Sequence, residues 1–95
     1  MELTKKDKEY LLKRLNYSES DLPQIEAAID ETDYTHIWPN ERETKITARG
    51  AIRLLGRETF LGGIARSAFH YTAMRETDKA ENDWVYFNST RFFKS

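Results

Sequence analysis

The 95-residue chain contains no cysteine, only two histidines and only two prolines. Without cysteine there is no disulfide framework, no thiolate catalysis and no cysteine-ligated zinc site. No run of about 18 apolar residues occurs, so no segment is predicted to span a bilayer. The polar start of the chain also lacks the apolar core of a secretory signal. These absences predict one soluble domain, residues 1–95, that acts inside the cell.

Positive and negative charges are nearly balanced: the chain has 15 Lys and Arg and 16 Asp and Glu, which gives a formal net charge of −1. A generic polybasic nucleic-acid binder is thereby excluded. The charge is nevertheless divided along the chain: residues 1–47 carry seven basic and eleven acidic groups, and residues 48–95 carry eight basic and five acidic groups. The protein therefore has either an acidic and a basic pole, or a fold that mixes the two halves in space.

Hydrophobic periodicity predicts an α+β fold with four helices and a small antiparallel sheet. The predicted helices cover about 5–15, 21–31, 48–55 and 58–75, and the predicted strands cover about 34–38, 44–47 and 84–88. Thr4 and Asp7 mark a helix start, Thr47 is a predicted N-cap and Gly56 a predicted helix end. Residues 76–83 are polar and are predicted to form a loop.

Groups suited to catalysis at neutral pH are few. His36 and His70 are the only side chains with an ordinary pKa near neutrality, and neither belongs to a metal-ligand pattern. No serine lies in a nucleophile elbow, and the four glycines are not spaced as a phosphate-binding loop. We therefore predict that the chain is not an enzyme, binds no metal and needs no cofactor.

The segment 46–56, Ile-Thr-Ala-Arg-Gly-Ala-Ile-Arg-Leu-Leu-Gly, resembles the first helix and turn of a helix-turn-helix of the excisionase or MerR type. The positions that agree with that motif are Thr47, Ala51, Leu54, Leu55 and Gly56. The resemblance implies a DNA-binding regulator that contacts phosphates through arginines. Those arginines are Arg49, Arg53, Arg57 and Arg66. The match ends after the glycine, because an acid stands at the next helix start.

Two adjacent glycines, Gly62 and Gly63, lie inside the predicted fourth helix, where each costs about 1 kcal/mol of helix stability. Close approach of another helix would compensate for that cost. Such a helix belongs to the same fold, to a second copy of the chain or to a partner. The second case predicts a homodimer.

Aromatic residues are numerous, with two Trp, five Tyr and five Phe. Several crowd the last predicted strand and the C-terminus, among them Trp84, Phe92 and Phe93. Surface aromatics are typical of protein interfaces. The alternative is one aromatic core between the sheet and the long helix.

Taken as a whole, the chain resembles a group of small proteins found in prophages and mobile elements of Gram-positive bacteria. The resemblance rests on the segments Asp-Leu-Pro-Gln-Ile-Glu at 21–26, Leu-Leu-Gly-Arg-Glu-Thr-Phe-Leu at 54–61 and Ile-Ala-Arg-Ser-Ala-Phe-His at 64–70. It implies a protein of the bacterial cytoplasm that acts by stoichiometric binding. Such proteins block a host defence nuclease, as anti-CRISPR proteins do, or regulate genes of the element through DNA.

The leading hypothesis is therefore a non-enzymatic phage-type protein that inhibits a host protein complex, most concretely a CRISPR nuclease. Its acidic front half would occupy a basic nucleic-acid groove, with aromatic side chains as anchors. The predicted partner-binding residues are Asp21, Glu26, Asp30, Glu31, Asp33, Trp84, Phe92 and Phe93. The alternatives are a helix-turn-helix regulator that binds duplex DNA and a homodimer formed through Gly62 and Gly63. No hypothesis involves a membrane or a cofactor.

Overall fold

The computed structural model describes residues 1–69, 74–77 and 84–89 of the chain. Within them the chain forms four helical segments and a four-stranded antiparallel sheet, which confirms the predicted α+β class. The helices are α1 (Lys5–Glu9), α2 (Leu22–Glu31), α3 (Ala48–Leu55) and α4 (Arg57–Phe69). The strands are β1 (Thr32–Ile37), β2 (Glu43–Ile46), β3 (Met74–Thr77) and β4 (Trp84–Ser89).

The first helix begins at a reciprocal cap formed by Thr4 and Asp7. The Asp7 backbone N–H donates to Thr4 Oγ1 at 3.1 Å, and the Thr4 backbone N–H donates to Asp7 Oδ2 at 2.8 Å. Both groups would otherwise be unpaired donors of a first helical turn. Helix α1 continues as a π-helical segment, Tyr10–Arg14, so the predicted helix over 5–15 is confirmed.

Helix α2 follows a 3-10 turn, Glu19–Asp21, and α3 has the bounds that the sequence predicts. Thr47 Oγ1 accepts from the Gly50 backbone N–H at 3.1 Å, so the predicted N-cap is confirmed. Gly56 ends α3 with φ +86°, a conformation that residues with a side chain rarely adopt. Helix α4 begins at the next residue, so one glycine separates the two helices.

The strands lie in the order β2-β1-β4-β3, and all neighbours are antiparallel. Strand β3 corrects two predictions, because residues 74–75 were assigned to the long helix and 76–77 to a loop. Instead, Met74 lies opposite Phe87 and Thr77 lies opposite Trp84 of β4. Without β3, one edge of β4 would leave its backbone N–H and C=O groups unpaired, and this pairing overrides the local helical pattern. The rest of the predicted loop lies outside the described residues.

Helix α4 runs through the centre of the fold, where it contacts α2, α3 and β4. Its side chain Phe60 packs against Tyr34 and Phe87, which face each other across β1 and β4. The three ring centroids lie 5.3 to 5.9 Å apart. The sheet therefore buries one face under α4. Its other face carries the exposed side chains of Asp33, Trp84 and Asn88.

Candidate functional site

Three exposed acidic residues lie close in sequence where α2 passes directly into β1. Asp30 and Glu31 end the helix, and Asp33 follows on the strand. Asp30 and Asp33 line a groove of about 240 Å³, which Lys45 of β2 also lines. We call the three carboxylates, Asp30, Glu31 and Asp33, the acidic rim. They remain close together because no loop separates helix from strand.

The acidic rim lies at the C-terminal end of α2, where the helix dipole favours cations over anions. The N-terminal ammonium of Met1 donates to Asp30 Oδ1 at 2.8 Å and supplies the positive charge that this end requires. The Asp30 side chain nevertheless stays 67% exposed. One oxygen of the Asp30 carboxylate is therefore engaged by the ammonium group, and most of the side chain remains accessible to solvent.

The two other predicted acidic residues have structural contacts. Asp21 accepts hydrogen bonds from the backbone N–H and the hydroxyl of Ser18 at the opposite end of α2. It lies about 13 Å along the helix from Asp30. Glu26 accepts from the Leu3 backbone N–H at 2.9 Å. The structure thus leaves three of the five predicted carboxylates exposed near the junction of α2 and β1, and it engages the other two in a cap and a tether.

Trp84 lies on the exposed face of the sheet with 38% of its surface accessible. It stands opposite Ile37 of β1, and the half-buried Tyr86 stands opposite Thr35. Asp33 belongs to the same face, about 13 Å along β1 from Ile37. We call this surface of Asp33, Tyr86 and Trp84 the outer face. It joins the acidic rim to an exposed aromatic side chain.

Two aromatic residues of the prediction, Phe92 and Phe93, lie outside the described residues. Conversely, Lys45 and Tyr86 are not among the site residues predicted from the sequence. Strand alternation was the signal for Tyr86, because residues 84 and 86 of one strand share a face. For Lys45 there was no local signal, since its place in the groove depends on the pairing of β2 with β1.

The four predicted DNA-contacting arginines fall into two groups. Arg49 and Arg53 are exposed and lie one turn apart on α3. Arg57 instead donates from Nε and Nη2 to the two carboxylate oxygens of the buried Asp7. Arg66 is half-buried against Gly62 of its own helix. The structure therefore leaves Arg49 and Arg53 on an exposed helical face, whereas Arg57, although exposed, is engaged by Asp7.

Helix α4 occupies the position of a recognition helix but is largely enclosed. Eight of its 13 residues are buried, and its exposed residues Arg57, Glu58 and Thr59 are confined to the first turn. A recognition helix presents a side-chain face to the major groove. The base contacts of such a helix come mainly from its N-terminal residues. In α4 these are the acid Glu58, Thr59 and Arg57, and Arg57 donates to Asp7.

The glycine pair is also enclosed. Gly62 and Gly63 are both buried, and a Cβ atom at Gly62 would lie 3.6 Å from Arg66 Nη1 and 4.0 Å from Leu15 Cδ1. The close approach at Gly62 therefore comes from the end of the first helical segment of the same chain. Neither glycine is exposed to a second copy.

Among the described residues, no three His, Asp or Glu side chains are grouped so that they could hold a metal ion. His36 is 5% exposed and packs against the Trp38 ring at 4.2 Å between centroids. His70 lies outside the described residues. None of the helices in the described part of the chain combines the length and apolar character needed to cross a bilayer.

No family model, curated protein or solved structure matches the chain. The resemblance to proteins of mobile elements therefore stays a prediction.

Proposed function

We propose that the protein acts by stoichiometric binding and that its acidic rim docks onto a basic surface of a host protein complex. In its most concrete form the proposal is inhibition of a CRISPR nuclease in the bacterial cytoplasm. The observation that carries it is that Asp30 and Asp33 line an open groove, with the exposed Glu31 between them in the chain.

A basic nucleic-acid channel is a suitable target for such a rim. RNA-guided nucleases hold the guide–target heteroduplex in a positively charged channel and recognise its backbone through charge and shape. Carboxylates that enter this channel compete for the same cations as the phosphates do. Opposite charges also speed the encounter of two macromolecules and suppress wrong orientations. A local acidic surface therefore suffices, although the whole chain is nearly neutral.

The outer face supplies the second part of the contact. An interface held by charge alone is weak in salt, whereas a buried aromatic side chain typically contributes a large share of the binding energy. Trp84 is exposed on the face that Asp33 shares. We therefore assign the acidic rim to steering and orientation, and Trp84 to anchoring.

Cleavage of labelled target DNA by purified nuclease–guide complexes tests the proposal. We expect the natural protein to inhibit at a ratio near one to one, and Asp30→Lys/Glu31→Lys/Asp33→Lys to lose the inhibition. The matched control reverses three other exposed acids, Glu9, Glu19 and Glu41. It makes the same change in net charge and should still inhibit. Full inhibition by the rim variant, or an equal loss in the control, would refute the assignment.

A second candidate, binding of duplex DNA, is favoured by one observation. Arg49 and Arg53 are exposed on a helix whose bounds agree with the helix-turn-helix motif. Since Arg57 is bound to Asp7 and Glu58 is an acid, this candidate is limited to phosphate contacts by Arg49 and Arg53. It predicts that anisotropy of a labelled duplex falls between about 50 and 200 mM salt, and that Arg53→Ala lowers the salt slope by about one contact. A duplex that stays unbound at the lower salt concentration excludes it.

A further inference from the structure

Strand β2 lies at the edge of the sheet, since the strand order begins with it. Three of its four residues, Glu43, Thr44 and Lys45, are exposed. No other strand of the described structure pairs with the side of β2 that points away from β1. An uncovered edge offers a row of backbone donors and acceptors to another strand.

The hydrogen-bond alternation shows which backbone groups point outward. The Trp38 backbone N–H donates to the Arg42 carbonyl at 2.9 Å, one step beyond the pairing of β1 with β2. In an antiparallel pair every second residue is bonded to its opposite, so Thr44 and Ile46 direct their N–H and C=O groups toward β1. Glu43 and Lys45 therefore direct theirs away from the sheet.

We propose that β2 pairs antiparallel with β2 of a second copy, so that the two sheets join into one of eight strands around a two-fold axis. Thr44 lies on that axis opposite Thr44 of the second copy. Glu43 then faces Lys45 of the second copy, and Lys45 faces its Glu43. The two-fold symmetry makes this cross-strand ion pair occur twice.

The charges of Glu43 and Lys45 favour this register over the two adjacent registers. The outward-pointing residues of one strand must bond to outward-pointing residues of the other, which leaves three central alignments. One places Glu43 opposite itself and another places Lys45 opposite itself, and like charges directly opposed are destabilising. The third pairs Glu43 with Lys45, and opposite charges in such pairs are stabilising. Among the described residues neither side chain has an ion-pair partner within the chain that would compete.

The contact is small, because each copy contributes one strand of four residues. Interfaces of this size are weak or transient unless further surface joins them. The dimer is therefore concentration-dependent. Its exposed ion pairs also make it weaker as salt rises.

Sedimentation equilibrium over a wide concentration range tests the inference. The natural chain should associate reversibly. Glu43→Lys and Lys45→Glu should each raise the dimer dissociation constant about tenfold or more, because each places like charges opposite one another. A mixture of the two variants should recover association as a heterodimer. The double variant Glu43→Lys/Lys45→Glu should recover it alone.

Circular dichroism melts at a concentration low enough to dissociate the dimer separate a lost interface from a lost fold. There each single variant should melt as the natural chain does, because both residues are exposed. The inference is overturned if the natural chain stays monomeric at millimolar concentration. It is equally overturned if a folded single variant associates as the natural chain does, or if mixing the two variants gives no gain.

Discussion

Asp7 and Arg57, 50 residues apart, form a two-point ion pair in which Arg57 Nε donates to Asp7 Oδ1 at 2.7 Å and Nη2 donates to Oδ2 at 2.6 Å. The Asp7 side chain is 3% exposed, and its Oδ2 also accepts from the Thr4 backbone N–H that begins α1. The start of α1 is thereby fixed to the first turn of α4. Two-point pairs of this kind are short and directional.

This ion pair predicts a loss of stability in acid. The hydrogen bond from Arg57 holds the pKa of Asp7 below its ordinary value, assisted by Thr4 and opposed by burial. Because the pKa is lower in the folded than in the unfolded chain, the stabilisation is present above about pH 4 and is lost as pH falls through the folded value. In urea unfolding below pH 4, the natural chain should lose more free energy than Asp7→Asn. This account would be contradicted if the free energies of unfolding of the natural chain and of Asp7→Asn fell equally as the pH is lowered.

The arginines should separate into structural and exposed sets. Arg57→Ala leaves the buried carboxylate of Asp7 without its main partner, and we expect a loss of about 1–3 kcal/mol in the free energy of unfolding. Arg49→Ala and Arg53→Ala remove exposed side chains and should change it by less than about 0.5 kcal/mol. Urea titrations at neutral pH measure all three. Equal effects would mean that Asp7 does not depend on Arg57.

Alanine substitutions at two glycines should change the stability of the fold in opposite directions. Gly62 lies within α4, and a methyl group there meets its neighbours at ordinary contact distances. Gly62→Ala should therefore stabilise the chain by about 0.5–1 kcal/mol through helix propensity. Gly56 has φ +86° and ψ 156°, so Gly56→Ala should destabilise it by about 1–3 kcal/mol. Thermal melts of the two variants give the signs, and a destabilised Gly62→Ala would contradict the packing described.

Tyr34 should make stability fall at alkaline pH. Its hydroxyl donates to the Ile29 carbonyl at 2.8 Å in a buried site, and burial, with Asp30 adding to it, raises the pKa of the phenol. Since the folded pKa exceeds the unfolded value near 10, the stabilisation is complete below about pH 10 and is lost as pH rises further. Tyr34→Phe should cost about 1 kcal/mol at neutral pH. In urea unfolding, the free energy of unfolding of Tyr34→Phe should also fall less steeply above about pH 10 than that of the natural chain. An equal fall in both would mean that other groups cause the decline.

Local signals predicted much of the fold. The cap at Thr47, the end at Gly56 and the cap of Thr4 with Asp7 each depend on residues within one turn, so sequence alone fixes them. Strand β3 depends instead on the free edge of β4, which no nearby residue reveals. The same holds for the Asp7–Arg57 pair, which is long-range.

The candidate site divides in the same way. Asp30, Glu31 and Asp33 are neighbours in sequence, so their grouping was predictable. Asp21 caps Ser18, three residues away, which is a local signal of the same kind as Thr4 with Asp7. The contact of Glu26 with the Leu3 backbone spans 23 residues, so only the fold identifies it.

The central claim, that the acidic rim competes with nucleic acid for a basic channel, is tested most directly by displacement. Labelled target DNA is bound to a catalytically inactive nuclease–guide complex, and its anisotropy is followed while the protein is added. The account predicts release of the DNA near one equivalent of the natural chain, none with the variant of Asp30, Glu31 and Asp33, and release with the Glu9, Glu19 and Glu41 control. DNA that stays bound while the protein inhibits cleavage, or that the rim variant also releases, would contradict it.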